Sequence, residues 1–563
     1  MALRWNRWTA WSAYAAVIWV YFVLPLHGRF GEAMLGTSLF PHDAILNAGI
    51  LEWVRRALPS PSLHAFEWTA GFPLHNTLAN TESLFGWQPE YALLRWAGST
   101  VTFAYNGLVL TSFFLSAAGA RLLAGRFGAD EEGAFLSGFI FAFTPFHLSH
   151  IIHLQTLSVC WVPFAIYFLD RFLADGKIID VGCLAGSVVL CVLSGLYIGF
   201  FLAIALPLYA GASLAAGRFP LHRGRLVALA AAALGTIALL WPVLNHYFAY
   251  ARSHGYSHPV AVLTRFSVEL LALVKVPAWQ ALWYESDYAG VSAHESSAFP
   301  GFIAVALFLY SLRIGRTPAR KAGLRVLLTL SIVFFAFSLG PRLLFRENTP
   351  VPFAYWIPLP GRIFEFFSAV RWPMRALLVS FLFGAVMAGL GFTVLTRHSS
   401  SGRRRAACAI LALILFFEYR PLGRYAARSV AVPEPLALSD AYPFLAAEQD
   451  RGGVVELPVA DAGGYRTPML ARSVYGSAGH LRRVVAIHGQ ALPPLTIAML
   501  EEAERLPEAS AVDHLRRYGC SRVVVHRTWL PNHRLDGQLA EMRRAGLPVL
   551  WESPETVVFS LAR

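Results

Sequence analysis

Long apolar runs separated by short polar connections occupy the chain up to about residue 424. Since roughly 20 apolar residues cross a bilayer as a helix, the pattern predicts about eleven transmembrane helices. The runs begin near Thr9, Val101, Gly133, Leu154, Asp180, Leu196, Val227, Ser297, Leu324, Met374 and Ala406. Three longer polar stretches interrupt them, at residues 28–100, 249–296 and 340–373. We therefore expect a mainly α, polytopic membrane domain over residues 1–424.

The pattern changes after residue 424, where short β-branched runs alternate with helical stretches. Strands are expected at Val454–Leu457, Val523–Val525, Val549–Trp551 and Thr556–Phe559, and helices near 492–505, 512–518 and 535–544. Such alternation is typical of a small α/β domain, which we place at residues 425–563. The Pro433–Pro435 segment is the expected hinge before it.

Composition supports the membrane assignment. The 563 residues are 56% hydrophobic and only 14% charged, with a mean hydropathy of +0.50. A net charge of +13 would suggest nucleic acid in a soluble protein, but the arginines gather in alternate connections between the apolar runs. This distribution follows the positive-inside rule and predicts a cytoplasmic N-terminus. The three long polar stretches and the C-terminal domain are then expected outside the cytoplasm.

The first polar stretch places an acid close to the membrane. Asp43 precedes an amphipathic segment at residues 44–58, which suggests a helix lying along the membrane interface. Asp43 is either the chemical centre of an enzyme or the cap of that helix, and both roles are compatible. His42, His75 and Glu82 lie in the same stretch and are candidates to line the substrate cavity.

Two arginines, Arg371 and Arg375, stand one helical turn apart where the tenth apolar run begins. Positive charge on the predicted outer side is the opposite of what the positive-inside rule favours, so the presence of these two arginines requires an explanation. The pair could hold the phosphate of a lipid-linked donor, or it could contact lipid headgroups by snorkelling. Glu295 precedes the eighth run and is either a further acceptor contact or part of a solvated loop.

Three histidines, His147, His150 and His153, are spaced three residues apart near a predicted helix end. On a continuous helix the first two share a face and the third rotates away, so a three-histidine metal site requires a break. We expect His147 and His150 to line a polar cavity, with plain interfacial histidines as the alternative. The five cysteines are dispersed, and no metal or other cofactor is expected; a divalent metal is possible, but the sequence does not support one.

A first span, an outer loop with an acid within about twenty residues of the membrane, and a many-span bundle together resemble the GT-C superfamily of glycosyltransferases. The resemblance implies a polyprenyl-phosphate sugar donor, an extracytoplasmic glycan, lipid or protein acceptor, and Asp43 as general base or acceptor-orienting group. Some members have paired acids where this chain has His42 before Asp43.

A second resemblance rests on motifs along nearly the whole chain and is to a large group of bacterial multi-span membrane glycosyltransferases. It implies the bacterial inner membrane as location. The motifs are Tyr105–Gly107, Phe143–Gln155, Ser194–Tyr197, Ser338–Pro341, Arg371–Arg375 and Tyr518–His526.

Two other classes of protein fit the same pattern. A transporter or flippase would also use many spans and buried charges, but it should show paired halves, and we find no internal symmetry. A non-catalytic assembly component of an envelope polysaccharide system would share the fold and tolerate loss of Asp43. For an enzyme, we expect Asp43 and the Arg371 and Arg375 pair to act on one lipid-borne substrate.

Overall fold

The computed structural model describes residues 7–37, 41–220, 222–254, 258–275, 298–313, 318–346, 349–355, 371–420, 429–489, 492–530 and 535–562. The chain forms two compact units, each described by itself. The helical unit comprises residues 1–28, 108–241 and 256–428. The mixed unit comprises residues 29–107, 242–255 and 429–563.

Helices make up most of the described chain. In chain order they are α1 (Arg7–Ile18), α2 (Pro41–Ala57), α3 (Gln88–Trp96), α4 (Val101–Arg126), α5 (Glu131–Phe143), α6 (Pro145–Ser149), α7 (Leu154–Leu157), α8 (Trp161–Asp175), α9 (Ile178–Ser194), α10 (Leu196–Ala215), α11 (Arg223–His254), α12 (Val260–Arg265), α13 (Phe302–Ser311), α14 (Pro318–Ser338), α15 (Ala376–Leu395), α16 (Ser401–Tyr419), α17 (Tyr442–Ala447), α18 (Thr467–His480), α19 (Pro494–Glu504), α20 (Ala509–Arg517) and α21 (Asp536–Arg544).

Among the residues that the structure describes, six strands form two sheets. They are β1 (Arg342–Arg346), β2 (Thr349–Tyr355), β3 (Gly453–Leu457), β4 (Cys520–His526), β5 (Val549–Glu552) and β6 (Thr556–Ser560). β1 and β2 form an antiparallel pair in the helical unit, and the other four form a sheet of order β3-β4-β6-β5 in the mixed unit. All four strands predicted after residue 424 are therefore confirmed.

Eight helical segments in the described ranges are long and apolar enough to cross a membrane. Two further apolar helices, α9 and α13, are shorter. Every apolar run predicted from the sequence corresponds to a helix, and the run near Ala406 is α16. The exact number of membrane crossings stays a prediction.

Helix α15 is the central element of the helical unit and packs against α5, α13 and α14. Glycines make this close packing possible. A Cβ added at Gly389 would collide with the carbonyl oxygen of Gly133, and one added at Gly133 would collide with that of Gly389. A Cβ added at Gly391 would likewise collide with the carbonyl oxygen of Leu307. Small residues thus let the backbones of α15 and its neighbours approach directly.

The sheet of the mixed unit begins with a parallel pair, β3 and β4, and continues with antiparallel β6 and β5. Residues of β3 and β6 are buried throughout, and the apolar segments Val454–Val455 and Val557–Phe559 lie in them. Helix α18, which the sequence did not predict, packs against α2. Gly49 of α2 allows the contact, because its added Cβ would lie 3.1 Å from the Tyr475 Cα.

The C-terminal residues share their compact unit with residues 29–107, which the sequence assigned to the transmembrane domain. Glu434, in the expected hinge, binds Arg95 at 2.8 Å and accepts the Val101 N–H at 2.7 Å. The Tyr475 hydroxyl donates to the Pro433 carbonyl at 2.7 Å. This segment is therefore packed by specific polar contacts within the mixed unit.

Candidate functional site

Asp43 lies in the first turn of α2, inside the helix and not at the residue preceding it. Its Oδ1 atom is 3.4 Å from Nε2 of His488, and both side chains are partly exposed, at 23% and 19%. The rings of His42 and His488 meet edge to face at 6.1 Å. The mixed unit thus has one carboxylate and two imidazoles at a position open to solvent.

The chain before α2 is held by the side chain of Asn106, which is fully buried. Its amide oxygen accepts the Leu35 N–H at 2.8 Å, and its amide nitrogen donates to the carbonyls of Phe30 and Ala33. The Thr37 hydroxyl accepts the Val430 N–H at 2.6 Å. These contacts satisfy backbone groups of the loop that leads to Asp43.

His488 reaches Asp43 because residues 483–489 run between two partners in the mixed unit. On one side Gly71 N–H donates to the Ala486 carbonyl at 2.9 Å, and on the other Val485 N–H donates to the Val454 carbonyl of β3 at 3.0 Å. Gly489 packs so closely on Asn80 that an added Cβ would lie 2.5 Å from the Asn80 carbonyl oxygen. The backbone on both sides of His488 is therefore fixed.

Farther along α2, Glu52 is fully buried and forms ion pairs with Arg55 at 2.6 Å and Arg56 at 3.0 Å. The Tyr91 hydroxyl donates to it at 3.1 Å, and Arg95 lies 3.4 Å away. Burial by itself raises the pKa of Glu52, but the Arg55 hydrogen bond and the three positive charges outweigh it and leave the pKa below its usual value. Glu52 is therefore a structural anion that ties α2 to α3.

The other candidates in the first polar stretch lie in different environments. His75 is exposed, and its Nδ1 is 2.9 Å from the Glu67 carboxylate. Glu67 also accepts the Asn76 N–H at 3.1 Å. Glu82 is buried, with 6% of its surface exposed. Of the candidates His42, His75 and Glu82, His42 contacts the ring of His488, which lies beside Asp43.

In the helical unit, Arg371 and Arg375 flank the ring of Trp372. Their guanidinium carbons lie 5.4 and 5.0 Å from its centroid. Arg371 also lies over Phe266 at 5.3 Å, and Arg375 over Tyr197 at 5.5 Å. Stacking on aromatic faces positions both cations. The predicted pair is thus a pair in space, just before α15.

Tyr197 connects this arginine pair to a helix break. α9 ends at Ser194, Gly195 is extended with a φ of −167°, and α10 begins at Leu196. A Cβ at Gly195 would collide with the Gln155 carbonyl, so the break admits only glycine. The Tyr197 hydroxyl accepts the Arg371 N–H at 3.1 Å. The helix break in the Ser194–Tyr197 motif therefore orients Tyr197, whose hydroxyl holds the backbone of Arg371.

An apolar cavity of about 310 Å³ lies beside α15, the helix that begins directly after Arg375. Its wall on α15 begins with Ser380 and Phe381, five and six residues after Arg375. At 1.5 Å of rise per residue, the cavity wall starts about 8 Å along the axis from the arginine pair. The remaining wall comes mainly from α13 and α14, through residues such as Ala304, Phe308, Leu328 and Ile332.

His147 and His150 are fully buried in the helical unit. His147 Nδ1 donates to the Phe141 carbonyl at 3.0 Å, and its ring stacks on Phe113 at 4.9 Å. His150 Nδ1 donates to the Phe146 carbonyl at 2.7 Å. The helix does break here, because α6 ends at Ser149 and a short 3-10 turn follows. Neither histidine lines the apolar cavity, and their role at a substrate site stays a prediction.

Glu295 lies outside the described residues. Within the described ranges, no group of three or more His, Cys, Asp or Glu side chains is arranged to hold a metal ion.

The architecture of the chain is the GT-C fold of membrane glycosyltransferases. It matches arabinofuranosyltransferase AftD from Mycobacteria with a TM-score of 0.59 and 16% identity. The match covers 98% of this chain but only 40% of AftD, so this chain spans less than half the length of that protein.

A second match is the oligosaccharyltransferase AglB from Archaeoglobus fulgidus, solved with an inhibitory peptide and a dolichol-phosphate. The TM-score is 0.52 with 12% identity, covering 99% of this chain and 74% of AglB. No protein-family model and no curated protein matches the sequence. At these identities the matches establish the fold.

Proposed function

We propose that this protein is a membrane glycosyltransferase that moves a sugar from a polyprenyl-phosphate donor to an extracytoplasmic glycan, lipid or protein acceptor. The observation that carries the proposal is the order of features along α15, with the arginine pair before its first residue and an apolar cavity beside its next turns. A lipid phosphate has this polarity, with an anionic head and an apolar tail. The GT-C fold supports the same class of reaction.

Arg371 and Arg375 bind the donor phosphate in this proposal. Two guanidinium groups can form several charge-assisted hydrogen bonds to phosphate oxygens, and these strengthen as the phosphate departs with its negative charge. Trp372 and Tyr197 hold the two cations in place through ring contacts. The first isoprene units of the donor occupy the apolar cavity. The dolichol-phosphate bound to AglB belongs to the same chemical class of lipid.

Asp43 is the proposed general base or acceptor-orienting group. It accepts a hydrogen bond from the acceptor hydroxyl and takes up the proton as the new glycosidic bond forms. The partial exposure of its side chain leaves it accessible to an acceptor arriving from solvent. His488 holds the carboxylate in position, and His42 lines the same place. The proposed reaction includes no metal or other cofactor, and the proposed location is a bacterial inner membrane.

Replacement of Asp43 tests this function. Asp43→Asn keeps the size of the side chain but removes the base, so we expect transfer to fall by about 100-fold or more. The measurement is glycan composition of the cell envelope in a strain that lacks the native gene and expresses the variant at normal levels. Asp440→Asn, an exposed acid in the same unit, is the matched control.

Unchanged glycan transfer by Asp43→Asn at normal protein levels would contradict the proposed catalytic role and favour a non-catalytic assembly component. Transport of an unmodified lipid-linked sugar by purified protein would favour a flippase.

A further inference from the structure

A second cavity in the helical unit, of about 490 Å³, is lined by arginines from four separate places in the chain. Arg126 ends α4, Arg218 follows α10, Arg320 lies near the start of α14, and Arg397 follows α15. The remaining wall is mostly small or apolar and consists of Phe127, Gly128, Gly217, Phe219, Gly323, Leu324, Leu390, Thr393 and Val394.

One buried carboxylate neutralises only part of this charge. Asp170 binds Arg126 at 2.7 Å and Arg218 at 2.8 Å. The Arg218 guanidinium also stacks on Phe127, 4.1 Å from the ring centroid. Two of the four cations are therefore positioned by a fixed framework. A second acid, Asp130, accepts a hydrogen bond from the wall residue Thr393 at 3.1 Å and is paired with Arg404, which is not part of the wall. Positive charge therefore predominates in the cavity and attracts anions.

The other two arginines are exposed to the cavity and lack a carboxylate partner in the described part of the chain. Arg397 Nε donates to the His398 ring at 2.9 Å, which does not neutralise its charge. Arg320 is exposed at the start of α14. These two guanidinium groups therefore keep donors available to a ligand.

The cavity is separate from the proposed donor site. Arg375 immediately precedes α15, whereas Leu390, Val394 and Arg397 lie at its far end. A helix of 20 residues is about 30 Å long, so the two arginine clusters stand at opposite ends of α15. The distribution of arginines between the apolar runs predicts that this far end faces the cytoplasm.

The positive-inside rule alone does not account for the arrangement. It predicts arginines in cytoplasmic connections, but it does not require side chains from four connections to surround one space. Two glycines keep the space open, because Gly128 and Gly217 have φ values of +92° and +67° that disfavour any side chain there. Gly323 lies close to the Phe127 ring, at 3.2 Å from its added Cβ.

We propose that this cavity binds a phosphate-bearing anion, and that its source is the headgroup of an anionic phospholipid. Arginine matches phosphate oxygens through paired hydrogen bonds. Leu324, Leu390 and Val394 provide an apolar surface for the adjoining part of an acyl chain. Inorganic phosphate shares the anionic chemistry but makes no use of that surface.

The test is lipid binding by the purified, delipidated full-length protein. Native mass spectrometry measures retention of phosphatidylglycerol against phosphatidylcholine, and the cavity variant is Arg320→Gln with Arg397→Gln. The control variant is Arg313→Gln with Arg403→Gln, two exposed arginines on the same predicted face that do not line the cavity. Loss of two charge-assisted contacts should weaken phosphatidylglycerol binding by at least about tenfold, while the control stays within about twofold.

Equal weakening in both variants would overturn the site in favour of general surface attraction, and so would unchanged binding in the cavity variant. Each variant must give the same size-exclusion profile as the wild type, which shows that it is folded. Arg397→Glu alone is a second variant, and it should also reduce phosphatidylglycerol binding. A separate titration with inorganic phosphate distinguishes the sources. If phosphatidylglycerol is displaced only at high ionic strength, the result supports a phospholipid headgroup as the ligand. If millimolar phosphate displaces it saturably, the assignment of a phospholipid as the ligand is overturned.

Discussion

Asp43 and His488 come from opposite ends of the chain and meet in the mixed unit, with 3.4 Å between carboxylate oxygen and ring nitrogen. The position of the acid after the first apolar run is enough to predict it as a candidate. The histidine had no comparable signal, because the segment at residues 483–489 is neither periodic nor close to a predicted span. Its position depends on backbone hydrogen bonds of residues 485 and 486 to Val454 and Gly71, which only the folded chain provides.

At this scale we predict that His488→Gln lowers glycan transfer by roughly tenfold, equivalent to ~1.4 kcal/mol, because the carboxylate loses the group that orients it. In an Asp43→Asn background the same change should cause no further loss, since the contact is already broken. The measurement is transfer by each single variant and by the double variant at equal protein levels. Independent, multiplying losses would show that His488 does not act through Asp43.

At the scale of elements, the helical unit depends on glycines where helices touch. α15 reads in sequence as one more apolar run, and nothing in its hydropathy distinguishes Gly384 from Gly389. In the fold, Gly389 lies against the Gly133 backbone of α5, whereas an added Cβ at Gly384 meets nothing within 4 Å. The same residue type is therefore essential at one position and replaceable at the other.

We predict that Gly389→Ala destabilises the protein by about 1–3 kcal/mol, since α5 and α15 must separate to admit the methyl group. Gly384→Ala in the same helix is the matched control and should be neutral or slightly stabilising, by up to ~1 kcal/mol, because alanine favours the helix. The measurement is the melting temperature of the detergent-solubilised protein. Equal effects of the two changes would contradict the packing explanation.

At the scale of the whole molecule, the distribution of charge predicts the orientation in the membrane. Arginines fill alternate connections between the apolar runs, and Arg403, Arg404 and Arg405 lie at the start of α16. The positive-inside rule predicts that the start of α16 faces the cytoplasm and that the C-terminal residues lie outside.

We predict that a cysteine replacing Tyr465, which is 70% exposed, reacts with a membrane-impermeant maleimide in intact cells. A cysteine replacing Arg403 should react only after permeabilisation. Both are made in a Cys183→Ser background, because the other native cysteines are buried. The reverse labelling pattern would invert the predicted orientation and, with it, the proposed extracytoplasmic site.

The sequence alone determined what depends on local pattern. Apolar runs of spanning length became helices, β-branched runs became strands, and the acid and the arginine pair stood out against their surroundings. These predictions succeed because backbone hydrogen bonding and side-chain periodicity are local properties.

Only the tertiary structure decided which distant groups share a place. Tyr197 beside Arg375, His488 beside Asp43, the ion pair of Glu52 with Arg95 and the cavity lined by four arginines all arise from contacts between residues far apart in the chain. Hydropathy records how much surface a residue prefers to bury, not which neighbour will cover it. Helix packing, glycine contacts and long-range backbone pairing supply that information, and they exist only once the chain has folded.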